Sequence, residues 1–173
     1  MSTNLLRIIL CLLIAVSINF DYVSAADTKY LNPEYGFSVM LPESSVRHES
    51  QPPAPQHGVA IDLHSGGRIW IDGSYDVSFQ GSARAALKQI LKEADVKLTN
   101  LTKQMKVAHL EAVGTSYSKA QLVSTRVVAY RARSKEIAII YTFGLDTTRT
   151  KQREDDKLFQ KIIRSFCTMP LPE

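Results

Sequence analysis

Residues 137–145 place the strongest constraint on the fold of this 173-residue chain. Their sequence, IAIIYTFGL, is apolar or small at both odd and even positions. Successive side chains of a β-strand point to opposite faces of its sheet, so this pattern is typical of a strand that is covered on both faces. We therefore expect this segment to lie centrally in a sheet.

Two segments with helical periodicity can supply that cover. Ser82 is a typical N-cap residue, and apolar side chains recur at helical spacing over residues 83–94. Residues 151–166 carry one apolar stripe, with acids towards the N-terminal half and basic residues near the C-terminus, as the helix dipole prefers. The acidic run 154–156 is therefore interpreted as helix electrostatics and not as a metal cluster.

The other segments have strand and turn patterns. A hairpin opens the domain, with strands at 29–32 and 37–41 around an Asn-Pro-Glu-Tyr-Gly turn. An antiparallel meander is predicted from strands at 96–102, 107–117 and 122–133. Residues 42–58 contain four prolines and no periodicity, which indicates a long exposed loop that is a candidate for contact with another molecule.

The register of a second hairpin, formed by residues 59–64 and 68–72, decides which of its side chains share a face. A loop of Gly66 and Gly67 alone would split the apolar side chains between both faces. A three-residue loop with His64 opposite Arg68 gathers the apolar side chains on one face, and we prefer this register. The opposite face then carries Asp62, His64, Arg68, Trp70 and Asp72.

This polar face is the strongest local candidate for a binding site. If this face has no function and is only exposed to solvent, Arg68 would pair with Asp62 or Asp72, and the indole of Trp70 would cover the aliphatic parts of these side chains. As a functional face, it favours a protein-contact patch centred on Trp70 and Arg68, because these residue types are enriched among interface anchors. Its carboxylates and its imidazole could also bind a cation, although their spacing matches no established metal motif.

The order of elements predicts an α+β fold, an antiparallel sheet of about six or seven strands with helices packed on its faces. Residues 30–39 (YLNPEYGFSV), and residues 157–166 (KLFQKIIRSF) after the closing strand, resemble the beginning and end of PsbP/Mog1-like domains. The resemblance implies an α/β/α sandwich. Members of that fold are mostly non-catalytic: photosystem accessory proteins, a nuclear-transport GTPase cofactor, bacterial envelope proteins, and partners of secretion effectors. No functional residues transfer from this resemblance.

The first 25 residues predict export. Arg7 precedes an apolar stretch over residues 8–18, and Val23-Ser24-Ala25 has the small-residue pattern after which signal peptidase cleaves. The apolar stretch is roughly half of the ~20 residues that cross a bilayer, so we expect a cleavable signal peptide and no transmembrane anchor after cleavage. Residues 26–173 would then be a single α+β domain in the periplasm.

Cleavage after Ala25 would remove Cys11 and leave Cys167 without a partner, so no internal disulfide is expected. We interpret Cys167 as a small buried apolar residue. The chain has 21 basic and 17 acidic residues, and aromatic residues do not alternate with the basic ones. This pattern excludes a typical nucleic-acid platform.

The sequence has no glycine-flanked nucleophile, no paired histidine ligands and no activated cysteine. We therefore expect no enzyme activity, no catalytic or metal site and no cofactor. The function predicted is that of an exported protein that contacts another protein in the cell envelope, as an immunity-type inhibitor or assembly accessory. A small-ligand or divalent-cation module that uses Asp62, His64 and Asp72 is the first alternative. A secreted hydrolase is the second, less favoured one.

Overall fold

The chain forms two antiparallel sheets and two α-helices in the ranges that the computed structural model describes, which are residues 27–52, 57–77, 81–96, 102–134 and 137–171. The strands are β1 (Thr28–Asn32), β2 (Phe37–Leu41), β3 (Val46–Ser50), β4 (Gly58–Leu63), β5 (Arg68–Tyr75), β6 (Lys103–Val107), β7 (Leu110–Lys119), β8 (Leu122–Ala132), β9 (Ala138–Thr148) and β10 (Cys167–Thr168). The helices are α1 (Ala83–Glu93), α2 (Gln152–Ser165) and a short 3₁₀ helix at Glu43–Ser45.

The larger sheet has seven strands in the order β3-β4-β5-β9-β8-β7-β6, and the smaller one has the order β1-β2-β10. β9 is therefore the middle strand of the larger sheet, as its sequence predicts. Ile139, Tyr141, Phe143 and Leu145 are fully buried on one face of β9. We call this the α2 face of the sheet and the opposite one the α1 face.

The main core lies between the α2 face, helix α2 and the small sheet. Phe159 and Ile162 of α2 pack there with Phe37 of β2, and Phe166 stacks on Phe37 with ring centroids 5.6 Å apart. Full burial of one such side chain contributes about 1.5–3 kcal/mol to stability. Acidic residues occupy the first turn of α2 and Arg164 its last turn, which is the predicted polarity of this helix.

Helix α1 covers part of the other face of the larger sheet. Ser82 caps the helix, because its side chain accepts a hydrogen bond from the Ala85 amide at 3.2 Å. The buried side chains Leu87 and Leu91 pack against Val113 of β7 and Val128 of β8. Because the helix sits over β7 and β8, side chains on the α1 face of β5 and β9 form a wall beside it.

The β4–β5 hairpin differs from the predicted register by two residues. Asp62 pairs with Arg68, and Ile61 pairs with Ile69. Residues 64–67 connect the two strands, and the Leu63 amide donates to the Gly67 carbonyl at 2.8 Å, which leaves a three-residue loop at 64–66. Gly66 in this loop has φ +86°, which glycine adopts without strain. A shift of two keeps every side chain on its predicted face. The apolar side chains of this hairpin are accordingly buried in the main core.

The prediction of a long loop over residues 42–58 is wrong in its first part. The 3₁₀ helix and strand β3 occupy it, and β3 pairs with β4 at the edge of the sheet. An edge strand whose side chains are mostly exposed carries no apolar alternation, so its sequence resembles a loop. Of the strand predicted at 96–102, residues 97–101 lie outside the described ranges, and the next described strand, β6, begins at Lys103.

Cys167 is exposed, which corrects the prediction that it is buried. Helix α2 ends at Ser165, and Phe166 turns into the core. The next residue starts the short strand β10 beside β2, and strand alternation directs its side chain outwards.

The predicted signal peptide, residues 1–25, lies outside the described ranges, and the single-domain boundary at residue 26 stays a prediction. Within the described ranges, neither helix is long and apolar enough to cross a membrane.

Candidate functional site

A cleft of about 690 Å³ lies on the α1 face, between helix α1 and the side chains of β5 and β9. A volume of this size is typical of sites for small organic molecules. Aromatic and aliphatic side chains form most of its walls, and a few polar groups converge on it. The lining residues are Tyr35, His57, Trp70, Asp72, Ser74, Tyr75, Asp76, Val77, Ala86, Gln89, Ile90, Glu93, Ala94, Tyr117, Arg126, Ile140 and Thr142.

Trp70 lies in the cleft wall because Gly144 leaves space for its indole. Gly144 on β9 is the cross-strand partner of Trp70 on β5 and of Arg126 on β8. A Cβ atom at position 144 would overlap Cε2, Cζ2 and Nε1 of the indole. The absence of a side chain at this position therefore lets the ring lie over β9 and reach the side chain of Arg126.

Arg126 covers the indole and is itself firmly held. Its Cζ atom lies 5.2 Å from the centroid of the Trp70 ring and 5.9 Å from that of Tyr117. Its Nη2 atom is 2.8 Å from Oδ1 of Asp146, and Ser124 Oγ donates to the same oxygen at 2.6 Å. A cation over an aromatic face stabilises the pair by about 0.5–2 kcal/mol, more when water is excluded.

Trp70 is consequently only 8% exposed, and within the described ranges its Nε1–H has no hydrogen-bond partner. An indole nitrogen is a donor only. A buried donor without an acceptor costs about 1–3 kcal/mol, so such groups are rare in proteins. The Nε atom of Arg68, outside the cleft, is the other buried side-chain nitrogen without a hydrogen bond among the described residues.

Asp72 follows Trp70 by two residues on β5, so the two side chains lie on the same face of the sheet. Asp72 is 4% exposed. Burial raises the pKa of its carboxyl to about 6, although the hydrogen bond from the His57 amide and the charge of His57 act in the opposite direction. The amide of His57 donates to Oδ1 at 2.7 Å. The carboxyl of Asp72 therefore titrates about two pH units above an ordinary aspartate, at a pKa of about 6.

An aromatic group borders this carboxyl. The Tyr35 hydroxyl lies 2.9 Å from Nδ1 of His57, and the two rings stack with centroids 5.0 Å apart. Tyr75 is tilted against Tyr35 at 5.3 Å. Asp72 accepts from the backbone of His57 and not from its imidazole, so these residues do not form the carboxylate–imidazole relay of a hydrolase.

The five site residues predicted from the sequence do not lie in one cluster. Trp70 and Asp72 line the cleft, whereas Asp62 and Arg68 form an ion pair of 3.7 Å farther along the strands. Arg68 also donates to Ser50 Oγ at 3.2 Å and to the Gln51 carbonyl at 2.8 Å, which ties β5 to the end of β3. His64 is exposed in the hairpin loop.

The predicted exposed patch centred on Trp70 is wrong, because Arg126 and the cleft wall bury the indole. That Trp70, Arg68, His64, Asp62 and Asp72 contact a protein stays a prediction.

The structure separates the residues of the proposed cation module. Asp72 pairs with Gly58, which lies four residues from Asp62 on β4. At roughly 3.3 Å per residue, the two carboxylates are about 13 Å apart along the strands. In the described ranges, no group of three or more His, Cys, Asp or Glu side chains is placed to hold a metal ion.

Sequence reasoning missed the roles of Arg126, Tyr117 and Gly144. A glycine inside an otherwise apolar strand often marks a close approach of another group, and Gly144 was a signal of this kind. The group that approaches Gly144 is the side chain of Trp70, which lies 74 positions away in the chain. Strand order, which local patterns do not encode, brings the two residues together.

No protein-family model matches this chain, and no curated protein is significantly similar in sequence. Solved structures do resemble it. The solution structure of the cyanobacterial PsbP protein CyanoP from Synechocystis sp. PCC 6803 is 14% identical, with a TM-score of 0.56, and the match covers 85% of this chain and 95% of CyanoP.

Two crystal structures are less similar. LpqN of Mycobacterium tuberculosis, which is involved in cell envelope biogenesis, is 14% identical with a TM-score of 0.47, and 87% of this chain and 88% of LpqN are covered. A protein of Bacteroides thetaiotaomicron VPI-5482 is 12% identical with a TM-score of 0.49, and the match covers 84% of this chain. The chain spans about half of the Bacteroides protein, 49% of its length.

At this level of identity, the similarity to CyanoP concerns the backbone fold and transfers no functional residue. The predicted α+β architecture is confirmed, since a seven-stranded antiparallel sheet carries a helix on each face. This chain has a PsbP-like fold.

Proposed function

We propose that this protein is an exported, non-enzymatic binding protein that holds a small organic molecule in the cleft between α1 and the sheet. The observation that carries the proposal is the convergence of aromatic rings and a buried carboxyl in one cleft of about 690 Å³. Predominantly apolar walls with a few polar groups are typical of ligand sites.

The compartment in this proposal comes from the sequence. The basic, apolar and small-residue regions of residues 1–25 predict a signal peptide, which would deliver the domain to the periplasm. The PsbP-like fold is compatible with a non-enzymatic envelope protein.

A protein-contact function, as an immunity-type inhibitor or assembly accessory, has lost its main support. That prediction relied on an exposed Trp70, and the indole is buried. Arg68 remains partly exposed on the same face. A pull-down from the exported fraction, with wild-type protein and with Arg68→Ala as baits, tests this second function. It requires a protein partner that the wild type retains and that Arg68→Ala does not.

The test of the cleft uses the fluorescent probe N-phenyl-1-naphthylamine, which is apolar and uncharged at neutral pH. Trp70 is the only tryptophan of the chain, so energy transfer from its emission to the probe reports binding beside it. We expect saturable binding to the full domain. A probe that does not bind, or that binds without any response of Trp70, contradicts the proposal.

A matched pair of variants locates the probe. Ser74 is half-buried in the cleft wall, and Ser116 is exposed on β7 outside the cleft. Ser74→Phe adds a ring inside the cleft and should weaken probe binding at least about tenfold, which corresponds to about 1.4 kcal/mol. Ser116→Phe adds the same ring elsewhere and should leave binding unchanged. Equal binding by both variants would place the probe outside the cleft.

A further inference from the structure

We infer that the ligand of this cleft is an organic amine, with an apolar or aromatic body and one ammonium group that pairs with the carboxylate of Asp72. This inference rests on the proposed function and names the chemical class of its ligand. Three properties of the cleft support it. The carboxylate of Asp72 forms no salt bridge in the described ranges, the guanidinium of Arg126 is already paired with Asp146, and aromatic rings line the cleft.

Asp72 is a buried carboxylate that forms no salt bridge within the described ranges, although the charge of His57 acts on it. None of the salt bridges among the described residues includes it, and its Oδ1 accepts only from the amide of His57 in those ranges. Buried carboxylates are normally paired with a cation or neutralised by a proton. An ammonium group in the cleft would supply the missing positive charge and a strong, charge-assisted hydrogen bond.

Arg126 does not favour an anionic ligand in this cleft. Its guanidinium is already paired with Asp146 at 2.8 Å, and only 12% of the side chain is exposed. An anion would have to displace Asp146 and would also face the carboxyl groups of Asp72 and Glu93 in the same lining. The charges that a ligand meets are therefore predominantly negative.

Aromatic rings line the same cleft as Asp72. Tyr75 is partly exposed in this lining, with its ring tilted against that of Tyr35 at 5.3 Å. Faces of aromatic rings attract cations through their quadrupole. On the helix side, Ala86, Ile90 and Ala94 present an apolar surface for the body of the ligand.

Displacement of N-phenyl-1-naphthylamine by three compounds of similar size tests the inference. These are 2-phenylethylamine, 3-phenylpropionate and 3-phenyl-1-propanol, which differ mainly in charge. At pH 7.5 we expect the amine to displace the probe at a concentration about tenfold lower than the alcohol, because a hydrogen bond to a charged group is stronger than a neutral one. The carboxylate should be the weakest of the three.

Asp72→Asn keeps an acceptor for the His57 amide and removes the charge. In this variant the amine should lose its advantage, while displacement by the alcohol stays as in the wild type. Asp62→Asn is the matched control, since Asp62 lies on the same sheet face but outside the cleft lining. It should retain the full preference for the amine.

A pH series on the wild-type protein gives a second test that needs no variant. The groups around Asp72 are His57, Tyr30 and Tyr35, together with Asp76, Glu93 and Arg126 in the cleft. Protonation of Asp72 removes its negative charge, and the amine remains cationic throughout. The advantage of the amine over the alcohol should therefore shrink between pH 7.5 and pH 5.

The outcomes separate the two proposals. If the probe does not bind, the proposed function fails. If the probe binds and the three compounds displace it equally, or the carboxylate displaces it best, the amine inference is overturned while the cleft remains a binding site. An amine preference that survives in Asp72→Asn, or that does not change with pH, also overturns it.

Discussion

The guanidinium of Arg126 lies over the indole of Trp70, with Cζ 5.2 Å from the ring centroid, although 55 residues separate the two in the chain. They flank Gly144 in one row across three strands. The contact excludes water from the indole and places a tethered, neutralised cation at the edge of the cleft. The relationship makes Trp70 part of the cleft wall and not of an exposed patch.

Gly144→Ala should destabilise the protein by about 2–3 kcal/mol, because the new Cβ would overlap the indole and overpacking carries a cost of this size. Urea denaturation measures the change. Gly114→Ala is the control: there the nearest atoms are the ends of the Val127 and Met105 side chains, at 3.0 Å and 3.3 Å. Its effect should stay within about 1 kcal/mol. Equal effects of both substitutions would argue against the close approach of Trp70 to β9.

Arg126→Ala should expose the indole and cost about 2 kcal/mol in stability, since it removes the cation from the ring and the partner from Asp146. The emission of Trp70 should shift to longer wavelength and become more accessible to acrylamide. Arg84→Ala, on the exposed side of α1, should change neither quantity. An unshifted emission maximum in Arg126→Ala would show that this side chain does not cover the indole.

Asp72→Asn should stabilise the protein at neutral pH, by up to about 3 kcal/mol at 1.36 kcal/mol per pKa unit. The pKa of Asp72 is about 6 in the folded protein, against an ordinary value of 3.8 for an aspartate carboxyl in water. Between these values the folded state keeps a proton that the unfolded state has lost, so stability falls as pH rises through this window.

Denaturation of wild type and Asp72→Asn between pH 4 and pH 7.5 measures this linkage. The advantage of the variant should grow from about pH 4 and level off above about pH 6. A constant difference over the whole range would mean that the carboxyl of Asp72 is not perturbed by burial.

Cys167 should react with Ellman's reagent in the folded protein, because its side chain is exposed. With Cys11→Ser in the full chain, one thiol should be titrated without denaturant. Cys167→Ser in the same background provides the blank. A thiol that reacts only after unfolding would instead support the interpretation of Cys167 as a buried residue.

The hairpin of β4 and β5 shows how far local patterns reach. Apolar alternation predicted which side chains face the core, since Ile61 and Ile69 have no other favourable position. It did not predict the pairing, because registers that differ by two residues give the same two faces. Edge strand β3 was missed for a related reason, as its exposed side chains leave no pattern.

The sequence by itself determined the class of this protein: a central strand buried on both faces, two amphipathic helices and the distribution of side chains across the sheet. These features depend on neighbours in the chain, and the burial of apolar surface enforces them. Only the tertiary structure decided that Trp70 would be covered by Arg126 over Gly144 and that Asp72 would be buried beside His57. Such contacts depend on strand order, and residues distant in sequence become neighbours only when the sheet is assembled.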